Sequence, residues 1–206
     1  MYEFDEGSSG AADGPFLNWH ARETLDGEIA SRSFSIRTEE GRKDVTDKMK
    51  GGVAFDLDSL KTGWFFTTGT PGQAPEIQWS ESPARMAPQP PDRGDDRWKK
   101  GFLIRLALDK GTAATWSQSG AGAFQGIASL MRAVKTDGGE GQTVIAVFDS
   151  VNEVKFAKGG TSAPIFKVKK WADRPACLEA APPASPAPPA PPEAAALAVG
   201  LNDDEF

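Results

Sequence analysis

Trp98-Lys99-Lys100-Gly101-Phe102-Leu103-Ile104-Arg105-Leu106-Ala107-Leu108 is the stretch on which the fold turns. Phe102, Ile104, Leu106 and Leu108 recur at every second position while Arg105 points the other way, the pattern of a strand with one face in a core. An apolar face of that length belongs in the middle of a sheet. Lys99 and Lys100 stand at its entrance, where mobile ammonium groups can meet a phosphate backbone and release its counterions.

The upstream chain repeats the two-residue period. Leu17, Trp19 and Ala21 alternate with Asn18, His20 and Arg22, and Phe34 and Ile36 alternate with Ser33, Ser35 and Arg37. Val53, Phe55 and Leu57 alternate with Ala54, Asp56 and Asp58, so the two aspartates are expected on a solvated face without chemistry. Gly63-Trp64-Phe65-Phe66 is denser. Strand alternation separates Trp64 and Phe66 from Phe65, and three adjacent rings exceed what one buried face needs, so part of this ring surface is expected in solvent. An exposed ring is a platform on which a base stacks without sequence readout. Trp79 and Trp98 bracket a loop, 80 to 97, that carries four prolines and no apolar period.

Downstream, Phe124, Ile127, Met131 and Val134 fall on one stripe and predict a helix from Gly120 to Val134. Strands follow at 143 to 148 and 165 to 171, with an extension at Val154 to Phe156 and a turn at Gly159-Gly160. In the last strand Phe166 and Val168 are expected inward, and Lys167, Lys169 and Trp171 outward. The order of several antiparallel strands, a helix and two further strands predicts a mainly β fold, an OB-fold-like antiparallel barrel with one helix between strands 3 and 4.

The flanks differ from this domain. Residues 1 to 14 are polar and glycine-rich and read as a flexible leader; 15 to 171 form the domain; 172 to 206 form a disordered linker and tail. The run from Ala181 to Pro192 has too few donors and too little apolar mass to pack, and reads as a polyproline-like spacer. It ends in Asp203-Asp204-Glu205-Phe206.

The formal charge of −6 is unevenly spread. Residues 172 to 206 hold six acids and one base, a net −5, which leaves the preceding 171 residues at −1. Within that near-neutral body, 97 to 110 carries a net +4, and 155 to 170 has five lysines and no acid. Such clusters are commonly solvated edges, but with interleaved aromatics they also mark nucleic-acid interfaces. No run of apolar residues suffices to span a bilayer and the first residues are acidic, so a cytoplasmic protein is expected. The single Cys177 fits a reducing compartment.

Catalytic signatures are weak. His20 is the only histidine and has no ligand-spaced companion. Gly120-Ala121-Gly122-Ala123-Phe124-Gln125-Gly126 places Gln125 where a dinucleotide fingerprint needs its third glycine, and Leu108 lies twelve residues earlier, too far for that turn. Neither an enzyme nor a cofactor is indicated.

A domain with exposed rings, a linker that cannot fold and an acidic end closed by Phe206 resembles the single-stranded DNA-binding proteins of bacteria and, more closely, of tailed phages. The likeness covers the order of elements over 15 to 171, the Gly63-Trp64 and Lys100-Gly101-Phe102 segments, and Asp203 to Phe206. Bacterial members place a proline before the terminal phenylalanine; this chain has Glu205 there. The resemblance implies sequence-independent coating and protection of single-stranded DNA in replication, recombination and repair, in the cytoplasm of the host cell if phage-encoded. It implies DNA contacts from Trp64, Phe66, Trp79, Trp98, Lys99, Lys100, Arg105, Lys167, Lys169 and Trp171. It also implies that Asp203, Asp204, Glu205 and Phe206 recruit replication or recombination proteins, with no membrane role and a homo-oligomer compatible with all of this. The rival is a protein-binding or virion-structural β domain, because exposed tryptophans also anchor protein interfaces.

Overall fold

The computed structural model describes residues 14–67, 74–92, 98–134, 142–157 and 159–179. The architecture is mainly β, a curled open half-barrel with few helices. Its strands are β1 (Phe16–His20), β2 (Ser33–Thr38), β3 (Gly41–Asp44), β4 (Val53–Phe66), β5 (Glu76–Trp79), β6 (Lys99–Ala107), β7 (Ala113–Ser119), β8 (Gln142–Phe156) and β9 (Gly159–Asp173). Helix α1 (Thr46–Gly51) lies between β3 and β4, α2 (Ala121–Ala133) between β7 and β8, and α3 (Ala176–Glu179) after β9. A helix therefore occupies the place between strands 3 and 4, whereas the helix read from the sequence at Gly120 to Val134 is α2, farther along the chain.

The sheet runs β3-β2-β1-β7-β6-β4-β8-β9, with β5 added to the far end of β4. As its alternation requires, β6 is central, and Phe102, Ile104 and Leu106 are wholly buried. They meet Leu17 and Trp19 from β1, Phe34 from β2, Phe55 from β4, Trp116 from β7 and Phe166 from β9 in one core. β1 joins β7 in parallel, Leu17 opposite Trp116, and every other pairing is antiparallel.

Two features give the sheet its curl. Asp56 pairs with Arg105 and Lys61 with Leu103, so four residues of β4 stand against Ile104 alone. Such a bulge bends its strand sharply. The Ser59 hydroxyl closes it, donating to the Asp56 carbonyl at 2.7 Å and accepting from the Arg105 amide at 2.8 Å. Beyond the bulge, β4, β5 and the start of β6 form an arm. On the other side, the Trp19 indole crosses to donate to the Ser162 carbonyl at 3.0 Å, and the Ser162 hydroxyl donates to the Ala21 carbonyl at 3.1 Å. β1 and β9, far apart in the sheet order, thus meet.

Helix α2 covers the opening between β7 and β9, but on a different stripe from the one expected. Its buried face is Gly122, Ala123, Gly126, Ile127, Ser129 and Leu130, while Met131 is exposed. Small residues win this face because the helix lies close to the β9 backbone: a Cβ at Gly122 would collide with the Ser162 carbonyl, and one at Gly126 with the Pro164 ring.

Three more expectations change. β8 absorbs the separate extension into one strand of fifteen residues. Ordered structure continues past Trp171, since β9 runs to Asp173 and α3 reaches Glu179. Asp56, read as solvated, is buried. The leader up to residue 13 and the tail from 180 onward, with Asp203, Asp204, Glu205 and Phe206, lie outside the described residues. Among the described residues, no helix is long and apolar enough to cross a membrane.

Candidate nucleic-acid interface

The arm holds most of the aromatic candidates, and it seals them. Trp64, Phe66 and Trp98 form a cluster separate from the main core, with Met86 against it. Trp64 is 7% exposed. The cover is the loop from Ser80 to Asp92: the Trp64 indole donates to the Ala87 carbonyl at 2.9 Å and the Trp98 indole to the Pro91 carbonyl at 3.1 Å. The long loop is therefore a lid on these rings, which is why they are not free platforms. Phe65 is also buried, its ring lying over Gly101, where a Cβ would overlap it, with Trp79 edge-on at 5.5 Å. Of the arm's aromatic candidates only Trp79 stays half-exposed.

Strand alternation separates the two lysines at the start of β6. Lys99 pairs with Phe65 and shares the outer face with Phe65 and Trp79. Lys100 pairs with Trp64 on the core-facing side, its ammonium 5.7 Å from the Trp64 ring centroid. Arg105 is 4% exposed, held beneath α3 where its guanidinium donates to the carbonyl of Leu178 at 3.3 Å. It cannot reach a ligand from there.

The remaining candidates lie elsewhere. Lys170 stands level with Ile145, Ala54 and Ala107, at the opposite end of β6 from Lys100. Seven residues of strand separate Lys100 from Ala107, about 23 Å at the usual rise. The two basic segments of the sequence therefore do not form one trough. Lys167 is tied to Asp149 at 2.7 Å, and this hydrogen bond holds the Asp149 carboxyl below its ordinary range. β9 skips Lys169 in its pairing with β8, and that bulge resets the alternation. Trp171 consequently turns inward against the core rather than out.

A groove that the sequence analysis did not single out runs between the β1–β2 corner, the β8–β9 hairpin and the start of α2. Two open clefts of about 260 and 210 Å³ share Ala21 and Thr161 as walls. Arg22 and Lys155 line the larger, each with no carboxylate partner among the described residues; Arg32 beside them is paired with Glu153 at 2.9 Å. Phe156 lines the smaller and is 50% exposed. Its floor is set. The Gln118 side chain accepts from the Trp19 amide and the Trp116 indole and donates to the Trp19 carbonyl, each at 2.9 Å. The Gly120 amide donates to the Lys100 carbonyl at 2.9 Å, and Lys100 shares the core-facing side of the sheet with Gln118. The groove thus runs from Arg22 and Lys155 past Phe156 to Gly120 at the start of α2, while the Lys100 ammonium lies over the Trp64 ring.

One signal for it was present. Lys155 belongs to the second basic run, and Phe156 stands just before the glycine turn of a hairpin too long to be covered along its whole length. Nothing in the chain marked Arg22, which reaches the groove only through the crossing of β1 to β9.

Other ionisable groups have local explanations. His20 is half-buried, 2.8 Å from the Ser35 hydroxyl, and burial followed by the Arg42 charge lowers its pKa. Among the described residues no group of three or more His, Cys, Asp or Glu side chains is placed to hold a metal ion. The groove offers cations and one ring but no nucleophile–base pair. No protein-family model matches the chain, and neither a curated protein nor a solved structure does.

Proposed function

We propose that this domain binds single-stranded DNA without reading its sequence and protects it in replication, recombination or repair, as an OB-like module in the cytoplasm rather than as an enzyme. The observation that carries the reading is the groove: Arg22 and Lys155, with no carboxylate partner among the described residues, line clefts that the exposed Phe156 also borders. Cations there neutralise phosphates, and an exposed ring in the adjoining cleft stacks a base whatever its identity. Trp79 and Lys99 on the outer face of the arm are a secondary contact in this reading. Asp203, Asp204, Glu205 and Phe206 serve as the site for partner proteins.

Fluorescence anisotropy with labelled oligo-dT, a duplex and an RNA of equal length, across a salt series, tests it. Oligo-dT is expected to bind with an affinity that falls steeply with salt, and the triple change Arg22→Ala, Lys155→Ala, Phe156→Ala is expected to abolish that binding. Full affinity in the triple variant would refute the groove while leaving the activity standing. No binding of any oligonucleotide at low salt would refute the activity, and a protein-docking β domain would then be the better account.

A further inference from the structure

The outer face of the sheet carries a buried charge that the groove does not use. Asp56 lies under the segment Arg174–Glu179, its side chain 2% exposed. The Arg174 guanidinium reaches one Asp56 oxygen and, at 3.2 Å, Asp58. Asp56 Oδ1 is buried with no hydrogen-bond partner. Arg105, the other cation packed here, directs its guanidinium to the carbonyls of Leu178 and Cys177.

The segment has a small grip. Leu178 is its one fully buried side chain, lodged against Ala54 and Ala107. The Arg105 guanidinium bonds hold its backbone to β6, and the Leu178 amide closes the segment's own turn on the Pro175 carbonyl at 2.8 Å. Closing it removes a carboxylate from water with half its acceptors unmet and Asp58, a like charge, alongside. A buried ion pair of this kind seldom repays its desolvation. The cost falls on Asp56, because Arg174 is 26% exposed and keeps Asp58 as a partner when Asp56 is neutralised, whereas removing Arg174 would strand the buried carboxylate. The strand beneath needs no help from the segment, since β4 is flanked by β6 and β8.

We propose that Arg174–Glu179 is a releasable latch, sprung by the burial of the Asp56 carboxylate beneath it, that sets the point from which the chain leaves the sheet. Closed, the latch sends the chain onward from Glu179 on the outer face, opposite the core-facing side that carries Lys100. Open, the point of departure retreats to Asp173, at the end of edge strand β9.

The sign of its pH dependence follows from Asp56. Burial raises its pKa, outweighing Arg174, which lowers it; the Asp58 charge adds to the rise, and the Arg105 charge and the Asp58 backbone N–H oppose it. A group whose pKa is higher in the closed state favours closure when protonated. Opening therefore grows as pH rises from the ordinary carboxylate range through the raised value.

Amide hydrogen exchange on the full chain at low denaturant, corrected for intrinsic rates, reads the latch directly. The Leu178 amide is expected to exchange faster than those of β6, with opening that increases across the carboxylate range. Asp56→Asn is expected to slow it roughly tenfold and flatten the pH response, because an uncharged amide is cheaper to bury. Arg174→Met is expected to speed it by a similar factor, and the double variant to return near the wild-type rate. Asp56→Asn at or above the wild-type rate would overturn the proposal, since the ion pair would then be the fastening rather than the spring. Exchange of Leu178 only together with the β6 amides would also overturn it. Asp56→Asn carries the test alone if Arg174→Met does not fold.

Discussion

The arm and the hairpin groove divide between them what the sequence presents together. In the arm, aromatic residues and lysines are adjacent in the chain, yet Trp64, Phe66 and Trp98 are roofed by the 80–92 loop and Lys99 and Lys100 part to opposite faces. In the groove, Arg22, Lys155 and Phe156 come from two distant segments, and all three face the clefts. Proximity along the chain sets which residue types are near one another. Whether a ring is available depends on what covers it, and a cover is a tertiary fact.

The largest effect that could break this contrast is on stability. Trp64→Ala empties a sealed cluster and should lower unfolding free energy by about 3 to 5 kcal/mol, read from a urea midpoint. Below that midpoint its oligonucleotide affinity should be close to wild type; a stable Trp64→Ala protein that no longer binds would put the platform back in the arm. Phe156→Ala should do the reverse, weakening single-strand binding by about 1 to 3 kcal/mol with stability changed by less than about 0.5 kcal/mol. Replacing Arg22 and Lys155 with Ala should lower the slope of log affinity against log salt by about 1.4, two phosphates at roughly 0.7 each for single strands. The pair Lys167→Ala and Lys169→Ala should leave that slope unchanged.

The smallest expected effect is remote from both regions. Lys48, 2.7 Å from Asp109, holds that carboxyl down to about 2, chiefly through their hydrogen bond. A depressed carboxylate stabilises the fold above its unfolded value and loses that contribution as pH falls from about 4 to about 2. Lys48→Ala should remove this acid-sensitive component, worth less than about 1 kcal/mol because both groups are solvated. Thermal melts at pH 7 and pH 2.5 measure it.

How far the chain could be read depended on what each signal reports. Two-residue alternation at Leu17 and Trp19, Phe34 and Ile36, and Phe102 to Leu106 reports burial on a regular strand, and those residues form the core. The same rule failed at Asp56 and Trp171. Asp56 faces outward as its period requires, but α3 and the segment before it cover that face. Trp171 follows a bulge at Lys169, which shifts every later side chain to the other side. The α2 stripe failed for another reason: hydrophobicity marks where a helix buries area, whereas this helix approaches β9 closely and needs small residues there. For the site, Lys99 and Lys100 were legible as exposed charge, but Arg22 was not, because its place depends on the Trp19 to Ser162 crossing.

Gly122 and Gly126 bring α2 against β9, and the residues that a side chain at 122 would press, Ser162 and Thr161, are also walls of the clefts. The bore of the channel is thus gauged by two missing methyl groups, a dimension written into the helix rather than into any residue that would touch the ligand. Even an alanine at Gly122 would act as a shim, prying the wall outward and changing the width of the channel.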